Sequence, residues 1–499
     1  MTQLLWPLLA AAGGVMWGLC FGRQPLPWLG AVALVPLLVA LAHSKSRRFA
    51  FLLAWVHGVA GWLTGIPWIV YTLRTYGGLP TGLSWVLLFG LAGFLSLYQG
   101  LFGLFAARWL RRPVGWTLLA VPALWTALEW LGGWLFGGFP WNLGGYVWVS
   151  MPGALPLTAW IGAWGISFLV VAFNTGLAAS LESRTARPAL AMGLPVVLLL
   201  AFGVLTAPAD EPDGGEPVRL IQPNTANAIT PDWQKIRQSY QRVFDLSREA
   251  CDRRGALLVW PESAAWPYEL ETPGANHVQF RADVERLAAQ GCPVILNSAF
   301  TDDHGRLFNS AFLVTPEGEH YRYDKRELVP WGEDVPLGDI LPFVGKLARN
   351  AGEFTPGESV GLLPWGEQKL GMAICFEAAF PARVAETVQA GATMLATISN
   401  DAWYGDSAAR WQLFRAVRFR AAENRRSMLR AAITGITAVV TPAGAVRDRL
   451  PVDTVGVVST QVRGRSDRTL FSRAPWLVPV LSWLLSAFVI VRSRRRKTR

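Results

Sequence analysis

Histidine is scarce in this chain. Only five are present in 499 residues, and none stands at a metal-ligand spacing from any of the four cysteines. A zinc-type Cys/His cluster is therefore excluded as an expectation, and neither a metal nor another cofactor is expected. Charge is scarce too: 16% of residues are Asp, Glu, Lys or Arg, while 52% are hydrophobic. That balance excludes a disordered chain and an ordinary soluble one. No internal repeat and no low-complexity tract appears. What is abundant is long apolar sequence, crowded into residues 1–207 and returning at 474–491.

A bilayer span takes ~20 apolar residues. Eight runs approach that length, at about 4–22, 26–42, 50–73, 82–107, 115–136, 155–181, 188–207 and 474–491. The first lacks a basic leading segment and runs straight into further apolar sequence, so it reads as a span rather than a cleaved signal. The loops give orientation. Fourteen Lys and Arg lie in alternate loops and the tail (45–48, 108–112, 184–187 and 492–499), against Arg23 and Arg74 in the opposite ones. With eight spans, both termini are expected in the cytoplasm and the segment between spans seven and eight outside it. The net charge of +11 sits largely in these loops, which argues against nucleic acid as the partner.

The expected organisation is a transmembrane domain over 1–207, a Pro/Gly/acid linker at 208–216, an aqueous domain over 217–470, and a last span with a basic tail over 471–499. In the aqueous part short apolar runs such as "VRLIQPN", "ALLVW", "PVILNSAF", "KLGMAICF" and "TMLATI" alternate with amphipathic stretches. The alternation predicts a layered α/β domain. Cys251 and Cys292 have the sequence to pair in an oxidising compartment, though two buried free thiols are the simpler expectation.

Three polar residues sit where apolar strands end or loops begin. Glu262 follows "LLVWP", Lys325 lies in "YRYDKRELVPWGEDVPL", and Cys375 closes "LGMAI". Taken singly, each has a bland reading: a turn acid, a solvated lysine, a packed thiol. Together they form a chemical set that needs no histidine. A carboxylate takes the thiol proton, and an ammonium lowers the thiol pKa from its ordinary ~8.5 and faces the oxyanion formed on attack.

"WPES", "YDK" and "ICFE" resemble the Glu-Lys-Cys segments of the carbon–nitrogen hydrolase (nitrilase) superfamily. "LVPWGEDVPL", "SNDAWYGDS" and "FPWNLGGY", with the eight-run layout, are similar to its apolipoprotein N-acyltransferase branch. The resemblance implies an αββα sandwich outside the bacterial inner membrane, carried on a multi-pass helical domain. It implies transfer of an acyl chain from a phospholipid to the N-terminal α-amino group of a diacylated lipoprotein, by a monomer. It makes Glu262 the base, Lys325 the oxyanion stabiliser and Cys375 the nucleophile. Glu333 matches a second essential acid and Glu377 another important one. Trp233 and Trp403 match aromatic positions near the pocket, and Asn309 and Asn400 are polar positioners. Phe376 departs from the family's tyrosine, and "AARWQL" (408–413) departs from a Pro- and His-containing stretch. That stretch reads equally as an altered acceptor contact or as the start of a packed helix.

Two rivals remain at this stage: a tethered amidase using water as acceptor, and a transporter or sensor whose aqueous domain only binds. Glu129 and His57 lie within apolar runs, where an ionisable group is notable. "LPFVGKLARNAG" (341–352) reads either as a membrane-dipping lid or as a surface helix.

Overall fold

The computed structural model describes residues 5–111, 115–209, 214–225, 233–251, 255–330, 332–333 and 354–495. The segment 341–352 lies outside these. Packing divides the chain into two units. One comprises Met1–Ala207, Asp406–Phe419 and Ala474–Arg499; the other comprises Pro208–Gly405 and Arg420–Arg473.

The first unit is helical, and helix occupies each of the eight apolar runs. Thr81–Leu110, Ala154–Ser183 and Arg187–Leu205 are each long and apolar enough to cross a membrane. Arg47–Gly65 and Trp68–Thr75 qualify together, bent by 58°, because Pro67 interrupts the run. Leu5–Leu19, Pro27–Ala42 and Leu477–Arg492 are apolar but shorter. Glycines let these helices touch backbone to backbone. A Cβ at Gly14 would strike the His57 carbonyl, and one at Gly103 the Ala50 carbonyl. Small residues at helix contacts allow this close approach.

Residues 406–419 also pack in this unit. Buried Gln412 donates to the carbonyls of Phe21 (2.9 Å) and Gly65 (2.6 Å), and accepts from the indoles of Trp68 (3.1 Å) and Trp141 (2.7 Å). Arg415 donates to the Cys20 carbonyl at 3.2 Å. Ala409, Leu413 and Phe414 are buried beside them. Of the two readings of "AARWQL", this is the packed-helix one.

Among the described residues the second unit is built on twelve strands. β1 (Glu216–Gln222), β2 (Leu257–Val259), β3 (Val294–Thr301), β4 (Leu307–Val314) and β5 (His320–Asp324) come first. β6 (Leu362–Trp365), β7 (Gln368–Ile374), β8 (Met394–Ser399), β9 (Met428–Ala432), β10 (Ala438–Val440), β11 (Val446–Arg449) and β12 (Gly456–Val462) follow. They form two six-stranded sheets, ordered β12-β1-β2-β3-β4-β5 and β6-β7-β8-β9-β10-β11. Both sheets share one pattern: an antiparallel edge strand, three parallel strands, then two antiparallel ones. This internal likeness leaves no trace as a sequence repeat. β1 packs on β9, which sets the sheets face to face. Helix Trp233–Ala250 covers β1, and Ala275–Ala288 covers β3 and β4. Val243, Phe244, Phe280, Val284 and Leu287 fill that layer, with Trp260 and Leu296 beneath.

The expectation of free thiols at positions 251 and 292 is corrected. Cys251 and Cys292 form a disulfide, with Cα atoms 5.9 Å apart. Cys251 ends one covering helix and Cys292 precedes β3, so the layering brings together residues 41 apart in the chain. Cys20 and Cys375 are free and buried.

Candidate active site

Glu262 follows β2, Lys325 follows β5, Cys375 follows β7 and Asn400 follows β8. β5 runs parallel to β3 because two antiparallel pairings separate them. All four residues therefore leave C-terminal strand ends, where side chains of an α/β layer gather over the sheet edge. The sequence intervals of 50 and 63 residues are closed by topology alone.

Lys325 is 1% exposed. Its Nζ lies 2.8 Å from Glu333 and 3.5 Å from Glu262. Burial works against the ammonium, but the carboxylates of Glu333 and Glu262 outweigh it and raise the Lys325 pKa. Lys325 is thus a fixed cation. Asn309 donates one amide to both acids, at 3.2 Å to Glu262 and 2.7 Å to Glu333. Its own oxygen is held by Asn297 at 2.7 Å. The second Glu262 oxygen accepts the backbone N–H of Asn400 at 3.0 Å. The second Glu333 oxygen accepts from Val329 N–H at 2.9 Å. Every oxygen of the two acids has a partner, so neither side chain is free to swing.

Cys375 has φ +51° and begins a short 3-10 turn, Cys375–Ala379. A non-glycine residue held in the left-handed region marks a position over-determined by its surroundings. Glu377, two residues on, supplies much of that constraint. Its buried carboxylate accepts from the Ile374 N–H (2.7 Å), the Arg326 N–H (2.7 Å), the Glu327 N–H (3.2 Å) and the Tyr323 hydroxyl (2.9 Å). It thereby ties the Cys375 turn to the segment carrying Lys325. Burial raises the Glu377 pKa, against those donors.

Burial also pushes the Cys375 thiol up to about 12, helped by the charge of Glu262 and opposed by Lys325 and Ser399. The ammonium does not win here, contrary to the expectation of a lowered thiol pKa. Desolvation of the thiolate outweighs the attraction. Burial therefore favours the protonated thiol at neutral pH.

Sequence reasoning missed the residues behind the sulfur. The Ser399 hydroxyl lies 3.5 Å from Cys375 Sγ and 2.7 Å from Asp401. Asp401 is locked by two 2.9 Å bonds from Arg430, and both side chains are fully buried. The Tyr404 hydroxyl lies 3.9 Å from the sulfur. An arginine inside the apolar strand "MLRAA" was the signal available. Phe376 is buried edge-on against Phe380. The Asn400 side chain caps its own turn at the Ala402 N–H. Trp403 and Trp233 are 42% and 62% exposed; neither belongs to the buried cluster. Among the described residues no group of His, Cys, Asp and Glu could hold a metal.

Two sheets of this pattern with a buried acid, lysine and thiol at their strand ends define a carbon–nitrogen hydrolase, and residues 218–468 match the model of that family. Residues 13–176 match the N-terminal domain of apolipoprotein N-acyltransferase. The chain is 36% identical over 483 residues to the apolipoprotein N-acyltransferase of Geobacter metallireducens, covering 93% of this chain and 91% of that one. It is 31% identical to the one from Vibrio cholerae, covering 99% of each. The chain belongs to the apolipoprotein N-acyltransferase family. Among solved structures, an amidase of the nitrilase superfamily from Nesterenkonia AN1 matches 50% of this chain and 92% of its own, at 20% identity and a TM-score of 0.38.

Proposed function

We propose that this protein is an inner-membrane acyltransferase of lipoprotein maturation. It moves an acyl chain from a membrane phospholipid to the α-amino group of a diacylglyceryl-cysteine N-terminus. The observation that carries this reading is the buried cluster of Glu262, Lys325 and Cys375 in a chain that matches the family along nearly its whole length.

In the first half-reaction Cys375 Sγ attacks the ester carbonyl while its proton passes to Glu262. A pKa near 12 makes that transfer concerted with attack rather than prior to it. The C–S bond forms, and the developing oxyanion faces the Lys325 ammonium. The ester C–O bond then breaks, and the lysophospholipid leaves with the proton held by Glu262. In the second half the acceptor amine attacks the thioester carbonyl. Glu262 accepts the amine proton, the C–N bond forms, the C–S bond breaks, and the proton returns to sulfur. Glu333 and Asn309 hold Lys325 and Glu262 in register. Asn400 fixes Glu262 through its backbone. Trp233 and Trp403 offer exposed apolar surface to acyl chains.

The eight runs are read as eight spans, over 1–207 and 471–499, with both termini cytoplasmic. The catalytic part, 217–470 after the 208–216 linker, then lies on the outer side. The basic loops support this, and so does the Cys251–Cys292 disulfide, a bond of oxidising compartments. The protein is read as a monomer. Membrane placement suits the chemistry, since both substrates are lipid-anchored. The test is to incubate purified protein with phospholipid and a diacylated lipopeptide. The expected results are an acyl adduct on Cys375 and a triacylated product. Hydrolysis of the donor without transfer would instead support a tethered hydrolase.

A further inference from the structure

Cys375 and Ser399 are neighbours by strand register. β7 and β8 run parallel with Ile374 beside Ile398, so the next residues along, Cys375 and Ser399, also lie side by side. The Ser399 backbone is fixed from its other flank, where its carbonyl accepts the Ile433 N–H at 3.1 Å. Its hydroxyl lies between two acceptors, Asp401 Oδ1 at 2.7 Å and Cys375 Sγ at 3.5 Å. A hydroxyl has one proton and can serve only one of them at a time. While the sulfur is protonated, the carboxylate is the nearer and stronger acceptor, and the serine oxygen leaves a lone pair for the thiol. An anionic sulfur changes that balance. Asp401 can give up the serine bond, because Arg430 Nη2 still donates to both of its oxygens at 2.9 Å. Arg430 is itself anchored, with Nε donating to the Ile436 carbonyl at 3.1 Å. Ser399, Asp401 and Arg430 are fully buried, so bulk water does not stand in for the hydroxyl.

We propose that Ser399 is a further catalytic residue, whose hydroxyl moves its hydrogen bond from Asp401 to the Cys375 sulfur as that sulfur becomes anionic, with Asp401 and Arg430 as positioning residues. The inference rests on the acyl-transfer reading above, in which the thiol proton goes to Glu262. No proton changes owner at Ser399: its O–H bond stays intact and only turns. The turn serves twice, once as the thiol loses its proton in attack and once as the C–S bond breaks and sulfur leaves with the electron pair. The charged and titratable groups around the sulfur are Glu262, Lys325, Asp401 and the Tyr404 hydroxyl, the last at 3.9 Å. Glu377, in the same turn, is bonded to Tyr323 and to backbone N–H groups. Lys325 and Ser399 favour the thiolate, while Glu262 and Asp401 oppose it. Asp401 thus acts against the thiolate in two ways, by its charge and by holding the serine proton.

The experiment follows alkylation of Cys375 by iodoacetamide in full-length protein in detergent, from about pH 7 to 10. The mass of the Cys375 peptide is read, so that Cys20 does not enter. Only the thiolate reacts. Ser399→Ala is expected to lower the rate ~10-fold at every pH, about the worth of one hydrogen bond to a charged group. Altered access cannot produce that result, because the smaller side chain opens space beside the sulfur. Ser399→Thr keeps the hydroxyl and is expected to stay within ~3-fold of the parent. Asp401→Asn is expected to act in the opposite direction and raise the rate ~3-fold or more, since it removes a negative charge and weakens the competing acceptor. A merely structural role would have the serine and aspartate variants impaired alike. A Ser399→Ala rate equal to or above the parent's overturns the proposal, whatever the other variants do. So does a full ~10-fold loss in a folded Ser399→Thr protein, and slowing in a folded Asp401→Asn protein removes the positioning role of Asp401. Alkylation involves no lipid, so the acyl-transfer reading fails separately, by the absence of an acyl adduct on Cys375 in the parent.

Discussion

The buried acid–lysine cluster of the second unit and a cavity among the helices of the first differ in how their polar atoms are partnered. In the catalytic unit Glu262, Lys325, Glu333, Glu377 and Asp401 spend their polar atoms on named partners at hydrogen-bond distance. In the helical unit His57, Gln99 and Asn142 each keep a buried side-chain atom without a hydrogen-bond partner beside one cavity. A saturated network holds a geometry; an unsaturated one leaves its side chains room to reorient. The first is suited to chemistry, where a misplaced donor lowers the rate.

The contrast can be broken in order of effect. Cys375→Ala is expected to remove transfer by at least ~10³-fold, with little change in the thermal unfolding midpoint, since the thiol is not a link in the charge network. Near-normal acyl transfer in that variant would remove the nucleophile from its role. Lys325→Met should also cost ~10²–10³-fold in the first half-reaction. Unlike the cysteine change it should lower stability by ~3–5 kcal/mol, because Glu262 and Glu333 are left buried without a counter-charge; unfolding of purified protein measures this. Lys325→Arg should not rescue, since a planar guanidinium does not fit a site built around a point charge.

Glu377→Gln is the milder test of saturation. One amide cannot accept as four donors require, so a loss of ~1–3 kcal/mol is expected, with slowed thioester formation as the Cys375 turn and the Lys325 segment loosen. Unchanged stability and rate would show that the tie is redundant. The pH profile of thioester formation gives a further check. With the thiol raised to about 12, its proton stays bound through pH 6–10, and no thiol inflection near 8.5 is expected. An inflection there would show that Lys325 prevails over burial. In stability the sign is the same: the folded state holds that proton more tightly, so its contribution is complete below pH 9 and lost as pH climbs towards 12. The smallest effect belongs to the membrane unit. Gln99→Leu replaces an unpartnered carbonyl with an apolar group, and stability should change by less than ~1 kcal/mol in either direction. A loss like that of Lys325→Met would mean that the cavity is held as tightly as the catalytic site.

Much of the fold was legible because the apolar helical segments and the mixed α/β segments differ in composition, and because buried strands such as "PVILN" are short, apolar and bounded by turns. Cys375, Lys325 and Glu262 stood out as polar residues at the ends of such strands. The role of Glu377 as a tie was not legible. It depends on backbone N–H groups from a segment 50 residues away, and backbone donors leave no mark in sequence. Arg430 was legible but unread, because its partner Asp401 lies on a different strand connection. The disulfide was hidden by the layering of helices on the sheet. The matching strand pattern of the two sheets was hidden because topology is kept where side chains are not.

Gln412 also bears on how the protein is made. The first 207 residues emerge from the ribosome before Gln412, which bonds the indoles of Trp68 and Trp141 and the carbonyls of Phe21 and Gly65, has been made. About 200 residues separate Ala207 from Asp406, and at ~5–20 residues per second their synthesis takes ~10–40 s. The earliest part of the chain is therefore finished by one of the latest. A fragment cut at the linker would be an incomplete helical unit, and the excised remainder would carry a segment whose polar side chains were chosen for partners it no longer has.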